Sequence, residues 1–214
     1  MKLRALKTAP SLAGMRVLVR VDWNVPLDGS QEPEASLKIE RSLETIEWLV
    51  KKKAIVILLT HLGRPHGYEA RYSTEHLLKP LKKTYHITLQ FHPESVSQKK
   101  ECKDLLEKLE AADHGSVHLL QNVRFEAGEE KNAVALAKAY ASLGHVFVND
   151  AFASCHRAHT SVVGITKFLP AYAGFSLQSD VEALVRLIQT PPTPTLALLS
   201  TGSAVIRSTL SLQN

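Results

Sequence analysis

Cysteine, aromatic residues and long apolar runs are all scarce in this sequence of 214 residues. Its two cysteines, Cys102 and Cys155, cannot supply a disulfide framework, so a reducing cytoplasm is the expected location. The longest apolar run, AIVILL, is far too short to cross a bilayer, and MKLRALKTAPSLAGM lacks the apolar core of a signal peptide. These shortages exclude a disulfide scaffold and predict that the chain has no membrane partner.

Positive charge is in modest excess, with a formal net charge of +5 and a pI near 9.2. This excess predicts attraction to anions, which nucleic acid, an acidic metabolite or a membrane surface would each satisfy. For a charge this modest, a solvated basic surface without a specific role is the commonest explanation. Aromatic residues make up only 6% of the chain, and no stacking platform or nucleic-acid motif is evident. Nucleic-acid binding therefore rests on the charge alone, and no nucleic-acid partner is expected.

Short β-rich runs alternate with helical patterns, which predicts a three-layer α/β/α, Rossmann-like domain with a parallel sheet. AIVILLT is apolar throughout, as a strand buried on both faces must be. The other predicted strands are RVLVRV, HITLQF, SVHLL and HVFVND. Helices are predicted from near Ile39, from Ser73 with Pro80 ending or kinking it, over SQKKECKDLLEKLEAA, from about Glu129 to Ser142, and from about Ser179 to Gln189.

Polar and basic residues follow four of these predicted strands. The residues are DWN (Asp22, Trp23, Asn24), HLGRP (His61 to Pro65), QNVRF with Arg124, and NDAFASCHRAH with Arg157. In an open parallel sheet, ligands bind outside the carboxyl ends of the strands. Guanidinium groups that converge from separate loops suit a phosphate or a carboxylate, because the planar fork binds oxygen pairs.

Each element also has a purely structural interpretation. Asp22 could be a turn residue, His61 and Arg64 could belong to a tight turn, and Arg124 could be an ion-paired surface residue. Cys155, His156 and His159 have passable spacing for metal ligands, but no second group matches them, so no metal site is predicted. No nucleophile elbow is evident, and GSAVIRST lacks the second Gly and the Lys of a phosphate-binding loop.

Taken together, four motifs resemble the N-terminal, substrate-binding domain of phosphoglycerate kinase. They are VLVRVDWNVPLDG, THLGRP, LLQNVRFEAGEEKN and FVNDAFASCHRAHTSVVGI, and AGFSLQSDVEALVRLIQ resembles the helix that leads toward the family's other domain. The resemblance runs from about Leu3 to about Leu199. It implies a glycolytic enzyme, expected as a monomer, that transfers a phosphoryl group reversibly between 1,3-bisphosphoglycerate and ADP to give 3-phosphoglycerate and ATP with Mg²⁺.

The resemblance also implies a role for individual residues. Asp22 and Asn24 would hold the hydroxyl and carboxylate end of 3-phosphoglycerate, and the basic patch around its phosphate would be His61, Arg64, Arg124 and Arg157. Trp23, Leu62 and Gly63 belong to the same substrate-binding motifs. Lys38 stands where the family has a catalytic Arg, and because Lys lacks the guanidinium fork, slower transfer is expected. Arg41 is expected about one helical turn away and is not expected to substitute.

The end of the chain departs from the family's text. The predicted organisation is a substrate-binding domain over residues 1–176, an interdomain helix and first strand over 177–199, and an aberrant tail over 200–214. A shifted reading frame is hypothesised, because codons exist for Ala204 to Thr209 that spell Ser-Asp-Lys-Ile-Asp one base out of phase. The chain is therefore expected to lack a nucleotide site, to bind no Mg-ATP or Mg-ADP, and to be inactive alone. The alternative is a stand-alone phospho-acid-binding domain without catalysis.

Overall fold

The computed structural model describes residues 3–26 and 36–190. Its strands are β1 (Arg16–Arg20), β2 (Ile55–Leu59), β3 (Gln90–His92), β4 (Val117–Leu120), β5 (Val146–Asn149) and β6 (Ala171–Ala173). Its α-helices are α1 (Leu37–Lys51), α2 (Leu78–Tyr85), α3 (Lys99–Glu110), α4 (Val134–Ser142) and α5 (Phe175–Gln189). The strands form one parallel sheet in the order β3-β4-β2-β1-β5-β6. The predicted α/β fold with a parallel sheet is confirmed.

Two hydrophobic clusters cover the two faces of the sheet. Side chains alternate along β2, so that Val56 and Leu58 join the cluster beneath α1 and α2, while Ile57 and Leu59 join the cluster beneath α3 and α4. Every residue of β2 is buried, which explains why its sequence shows no polar alternation. The helices therefore form outer layers on both faces of the central strands.

Two predictions around α2 are wrong. Pro80 does not end the helix, because it is the third residue of α2, where a backbone amide has no partner within the helix. The helix ends instead at His86, whose left-handed backbone (φ 53°) caps it. Because His86 belongs to this cap, HITLQF is not a strand over its full length, and β3 begins at Gln90.

Further boundaries differ from the sequence pattern. The helix predicted from Glu129 begins at Val134, because Glu129 is buried in a turn that contacts Ser161 through both carboxylate oxygens. Strand β6 was not predicted, since its three residues, AYA, are too few to show a pattern. Helix α5 begins at Phe175, ahead of the predicted start at Ser179.

Residues 1–180 form one compact unit, and a second unit covers 181–214. Of the second unit the structure describes the end of α5, where Leu187 and Ile188 are exposed. The predicted strand TLALLS and the predicted tail from Ser200 lie outside the described residues, so both remain predictions. In the described parts of the chain, no helix is long and apolar enough to span a membrane.

Candidate functional site

Four neighbouring strands deliver the predicted site residues to one edge of the sheet. β4, β2, β1 and β5 are adjacent and parallel, so the loops that follow them all leave at the same edge. These loops carry Asp22, His61, Arg124 and Arg157, one from each strand. The structure thus brings together residues that are far apart in sequence, as a ligand site at the carboxyl edge of an open sheet requires.

Lys38 closes the loop after β1 at one end of the site. Its Nζ lies 3.3 Å from Oδ2 of Asp22 and donates to the backbone oxygen of Asn24 at 3.1 Å. Ser36 caps α1 by accepting a hydrogen bond from the Lys38 amide, and this cap places Lys38 in the first turn, facing the loop. The ammonium group is half-exposed and the Asp22 carboxylate is mostly covered. Lys38 and Asp22 therefore form a preassembled pair.

The Asn24 side chain ties the β1 loop to the β2 loop. Its Oδ1 accepts a hydrogen bond from the Gly63 amide at 2.9 Å. Gly63 has φ +60°, and a Cβ there would collide with the ring of Tyr72, so glycine is required. This bond fixes the loop that carries His61 and Arg64 relative to Asp22.

Trp23 and Leu62 are core residues. Trp23 is fully buried and its indole donates to Oγ of Ser42 at 2.8 Å, while its amide donates to Oγ1 of Thr60 at 3.0 Å. Leu62 is 1% exposed, and its carbonyl accepts from Asn122. Both side chains face away from solvent, so a ligand at this edge would meet only their backbone.

His61 is held neutral at the centre of the site. Nη2 of Arg20 lies 2.9 Å from Nδ1 of His61, and a guanidinium can only donate, so Nδ1 accepts. The proton of the neutral ring is then on Nε2. Burial, followed by the positive charges of Arg20 and Arg124, lowers the pKa of His61 to about 2.

Sequence reasoning missed Arg20 and Glu129, which support His61 from below. Nε of Arg20 donates to Oγ of Ser161 at 3.1 Å, and that hydroxyl donates to Oε1 of Glu129 at 2.5 Å. Burial lowers the pKa of Arg20, a shift that the charge of Glu129 opposes, and burial raises the pKa of Glu129. The available signal was Arg20, flanked by Val19 and Val21 at the end of RVLVRV, because a buried cation needs partners.

Three further cations lie close together beside His61. Nη1 of Arg124 lies 3.1 Å from Oε1 of Glu130, and its side chain is mostly buried. Burial lowers the pKa of Arg124, and the charges of Arg157 and Arg64 act in the same direction. Arg124 is therefore within electrostatic range of both Arg157 and Arg64, while Glu130 offsets part of the positive charge; these three guanidinium groups are called the cluster below.

The loop after β5 carries Arg157 on a compact framework. Oδ1 of Asn149 accepts from the Ala151 amide at 3.0 Å, and its Nδ2 lies 3.4 Å from Sγ of Cys155. His156 accepts a hydrogen bond from Nε of Arg157 at 3.1 Å. Across residues 3–26 and 36–190, no group of three or more His, Cys, Asp or Glu side chains is placed to bind a metal ion. The loop thus presents a cation for an anionic ligand.

A cavity of about 200 Å³ continues the site past Lys38. Arg41, one turn along α1, lines it and forms an ion pair with Asp180 of α5. Asp150 also lines it, is 4% exposed, and has one carboxylate oxygen, Oδ2, without a hydrogen-bond partner among the described residues. A larger cavity of about 390 Å³ near the start of β4 has mostly apolar walls, so the ligand chemistry favours the carboxyl edge.

Comparison with known proteins decides the family. The family model described as "Phosphoglycerate kinase" matches residues 7–212. The chain belongs to the phosphoglycerate kinase family. This match extends past Leu199, where the resemblance was expected to end, and it includes most of the segment from Ser200 onward. The predicted boundary at Ser200 remains a prediction.

Relatives named phosphoglycerate kinase match along most of this chain. One from Coprothermobacter proteolyticus is 42% identical over all of this chain and 53% of its own length. One from Thermus thermophilus is 46% identical over 87% of this chain and 46% of its own. The solved phosphoglycerate kinase from Coxiella burnetii superposes with a TM-score of 0.78 at 33% identity, over 90% of this chain and 47% of its own. The chain thus spans about half the length of the relatives that it matches, and the family is a kinase.

Proposed function

We propose that this chain forms the acid-binding half of a cytoplasmic, glycolytic phosphoglycerate kinase, with 3-phosphoglycerate and 1,3-bisphosphoglycerate as ligands. The observation that carries this proposal is the convergence of Arg64, Arg124 and Arg157 beside His61 at the carboxyl edge of the sheet. Arg124 lies within electrostatic range of both Arg64 and Arg157, and its pairing with Glu130 offsets only part of their combined positive charge, so the cluster attracts an anion. A phosphate, with its three terminal oxygens, suits such a cluster.

His61 adds a hydrogen-bond donor without adding charge. Because Arg20 donates to its Nδ1, the imidazole presents Nε2–H to a phosphate oxygen. Its low pKa keeps the ring neutral across physiological pH, so it does not add to the repulsion among the neighbouring guanidinium groups. Arg20 therefore positions His61 by fixing its tautomer.

The acid end of the ligand would lie toward Lys38. Asp22 can accept a hydrogen bond from a ligand hydroxyl, and the half-exposed ammonium of Lys38 can neutralise a carboxylate or acyl phosphate. Transfer of a phosphoryl group depends on positioning and on stabilising negative charge, and it needs no nucleophilic side chain from the protein. This proposal places Lys38 at the catalytic position, where its ammonium group replaces the two-pronged guanidinium of the family's Arg.

The nucleotide and Mg²⁺ are assigned to residues beyond this edge. The described residues do not fit a metal ion, because they contain no cluster of three metal-binding side chains. Since the chain covers about half the length of its relatives, the other half of those relatives is the natural place for Mg-ADP and Mg-ATP.

A second candidate is a stand-alone domain that binds phospho-acids without catalysis. The observation that favours it is that the candidate acid site is contained within residues 22–157. The two candidates share a ligand and differ in whether a nucleotide-binding half completes the enzyme.

Calorimetric titration of the chain with 3-phosphoglycerate tests the shared site. We expect saturable binding that Arg124→Gln weakens about tenfold or more, because a charge-assisted contact is lost. Lys103→Gln on α3 removes the same charge far from the cluster and serves as the matched control. If both variants weakened 3-phosphoglycerate binding equally, the effect of Arg124 would be one of overall charge, and the proposal would be contradicted.

Mixing the chain with the C-terminal half of the Thermus thermophilus relative separates the two candidates. ATP formation from 1,3-bisphosphoglycerate and ADP in the mixture, at a rate that either half alone does not reach, would support the enzyme. Tight binding of 3-phosphoglycerate with no rate above background in the mixture would favour the binding domain.

A further inference from the structure

Lys38 and Arg41 present two cations to one cavity. They lie three residues apart on α1, so their side chains emerge on the same face of the helix. Both line the cavity of about 200 Å³ that also contains Asp22, Asp150 and Asp180. Arg41 thus lies about one helical turn from Lys38, as expected, and the two side chains share a cavity.

Lys38 is already engaged by its own loop. Of the three protons on its Nζ, one faces Asp22 at 3.3 Å and one faces the Asn24 carbonyl at 3.1 Å. An ammonium group in this position can offer a ligand carboxylate only one further hydrogen bond. It cannot match both oxygens of a carboxylate at once.

Arg41 has the donors that Lys38 lacks. Its ion pair with Asp180 is made through a single guanidinium nitrogen, Nη2, and its side chain is 43% exposed. A half-exposed ion pair is weakly held, so another carboxylate can compete for the guanidinium. The Asp180 contact shows that one nitrogen of the Arg41 guanidinium binds a carboxylate at this cavity.

Asp150 indicates that the cavity suits a polar occupant. Its side chain is 4% exposed, and its Oδ2 has no hydrogen-bond partner in the described part of the chain. Burial raises the pKa of Asp150, a shift that hydrogen bonds from Thr45 and from the amides of Leu177 and Ser176 oppose. Among the described residues Oδ2 lacks a partner with good hydrogen-bond geometry, so a polar group that enters the cavity can bind there.

We propose that Arg41 binds the carboxylate of 3-phosphoglycerate, and that the ligand displaces Asp180 from the Arg41 guanidinium. This inference rests on the proposed function and adds to it a residue that determines specificity for an acid. Lys38 then neutralises charge at the acid end while Arg41 supplies the paired hydrogen bonds. Binding at α1 would release the first turns of α5 from their ion pair.

Two ligands that differ in the carboxylate test this assignment. The chain and its Arg41→Gln variant are titrated with 3-phosphoglycerate and with glycerol 3-phosphate, which has the phosphate but no carboxylate. We expect the variant to bind 3-phosphoglycerate about tenfold more weakly, as for the loss of a charged hydrogen-bonded pair. Its affinity for glycerol 3-phosphate should stay within about twofold, because only screened long-range charge is removed.

Lys51→Gln, at the other end of α1, is the matched control and should change neither affinity. Asp180→Asn keeps both cations and removes the competing carboxylate, so it should tighten 3-phosphoglycerate binding by up to about fivefold, the scale of an exposed ion pair. Circular dichroism and thermal unfolding of each variant establish that it is folded.

Three results would overturn the assignment. Arg41→Gln could weaken the binding of both ligands equally, which would mean that Arg41 attracts anions in general and does not recognise the carboxylate. It could leave 3-phosphoglycerate binding unchanged, or Asp180→Asn could weaken that binding. A wild-type chain that bound neither ligand would instead refute the proposed function, and this inference with it.

Discussion

Arg20 and His61 form a buried cation–imidazole pair in which the cation fixes the tautomer of the ring. Their nitrogens are 2.9 Å apart, and both residues lie beneath the surface at the carboxyl ends of adjacent strands. Two groups that would repel each other if both were charged are stable here because the imidazole stays neutral. The pair combines a structural role for Arg20 with a hydrogen-bond donor for a ligand.

Arg20→Met should destabilise the protein by about 1.5–3 kcal/mol, because Arg20 no longer links to Glu129 through Ser161 and no longer donates to His61. Urea unfolding at pH 7 measures the change. The control Lys103→Gln, which breaks an exposed pair on α3, should cost no more than about 0.5 kcal/mol. A loss for Arg20→Met as small as that of the control would mean that Glu129 does not depend on Arg20.

His61→Gln should weaken 3-phosphoglycerate binding by the same factor at every pH from about 5 to 8, because both side chains are neutral donors over that range. The pKa of about 2 places the titration of His61 well below this window. Calorimetry at several pH values checks this. A ratio of affinities that grows as the pH falls through about 6.5 would show that His61 becomes charged in the site.

Asp150→Asn should stabilise the protein relative to wild type as the pH rises. Burial raises the pKa of Asp150 in the folded state, so the folded state holds the proton more tightly than the unfolded state. The resulting stability is complete below the unfolded pKa and is lost as the pH rises through the folded pKa. The difference in unfolding free energy between variant and wild type should therefore widen in favour of Asn. A difference that is constant with pH would contradict this sign.

His118→Gln should reduce the loss of folding stability that the protein suffers as the pH falls from 7 to 4. Nδ1 of His118 lies 2.9 Å from Nε2 of His92, with Glu94 and Lys108 beside the pair. Burial, and next the charge of His92, lowers the pKa of His118 to about 4, so wild type loses stability as the pH falls from about 6.5 through this value. The variant should lose less over that interval, as measured by unfolding at pH 7 and pH 4. Equal losses would show that the pair does not titrate there.

Lys38→Arg should raise the rate of phosphoryl transfer when the chain is combined with a C-terminal half from a relative. A guanidinium keeps the charge that faces Asp22 and adds the fork that an ammonium lacks. Steady-state ATP formation is the measurement, with the free energy of unfolding as the check on folding. An unchanged or lower rate would contradict this prediction. It would mean that a guanidinium at position 38 adds nothing that Lys38 and Arg41 do not already supply.

The parallel sheet and its polar edge could be predicted because the evidence for them is local. Strands β1, β2, β4 and β5 are short apolar runs, and each is followed directly by the residues that reach the site. The buried network could not be predicted, because the distance from Arg20 to Ser161 depends on how distant segments pack. Motif resemblance likewise grouped Trp23 and Leu62 with the site, although their side chains fill the core.

The pairing of β1 with β5 has a consequence for how the protein is made. Val17 pairs with Val146 and Arg20 with Asn149, so the central strand gains its second neighbour only after most of the compact unit has been synthesised. Such long-range pairing is slow to form and leaves strand edges exposed in the meantime. During that interval Arg20 would lack Ser161, so the network that holds the cation in the folded protein would be incomplete. We therefore expect the nascent chain to need protection from aggregation until the loop that carries Arg157 has emerged.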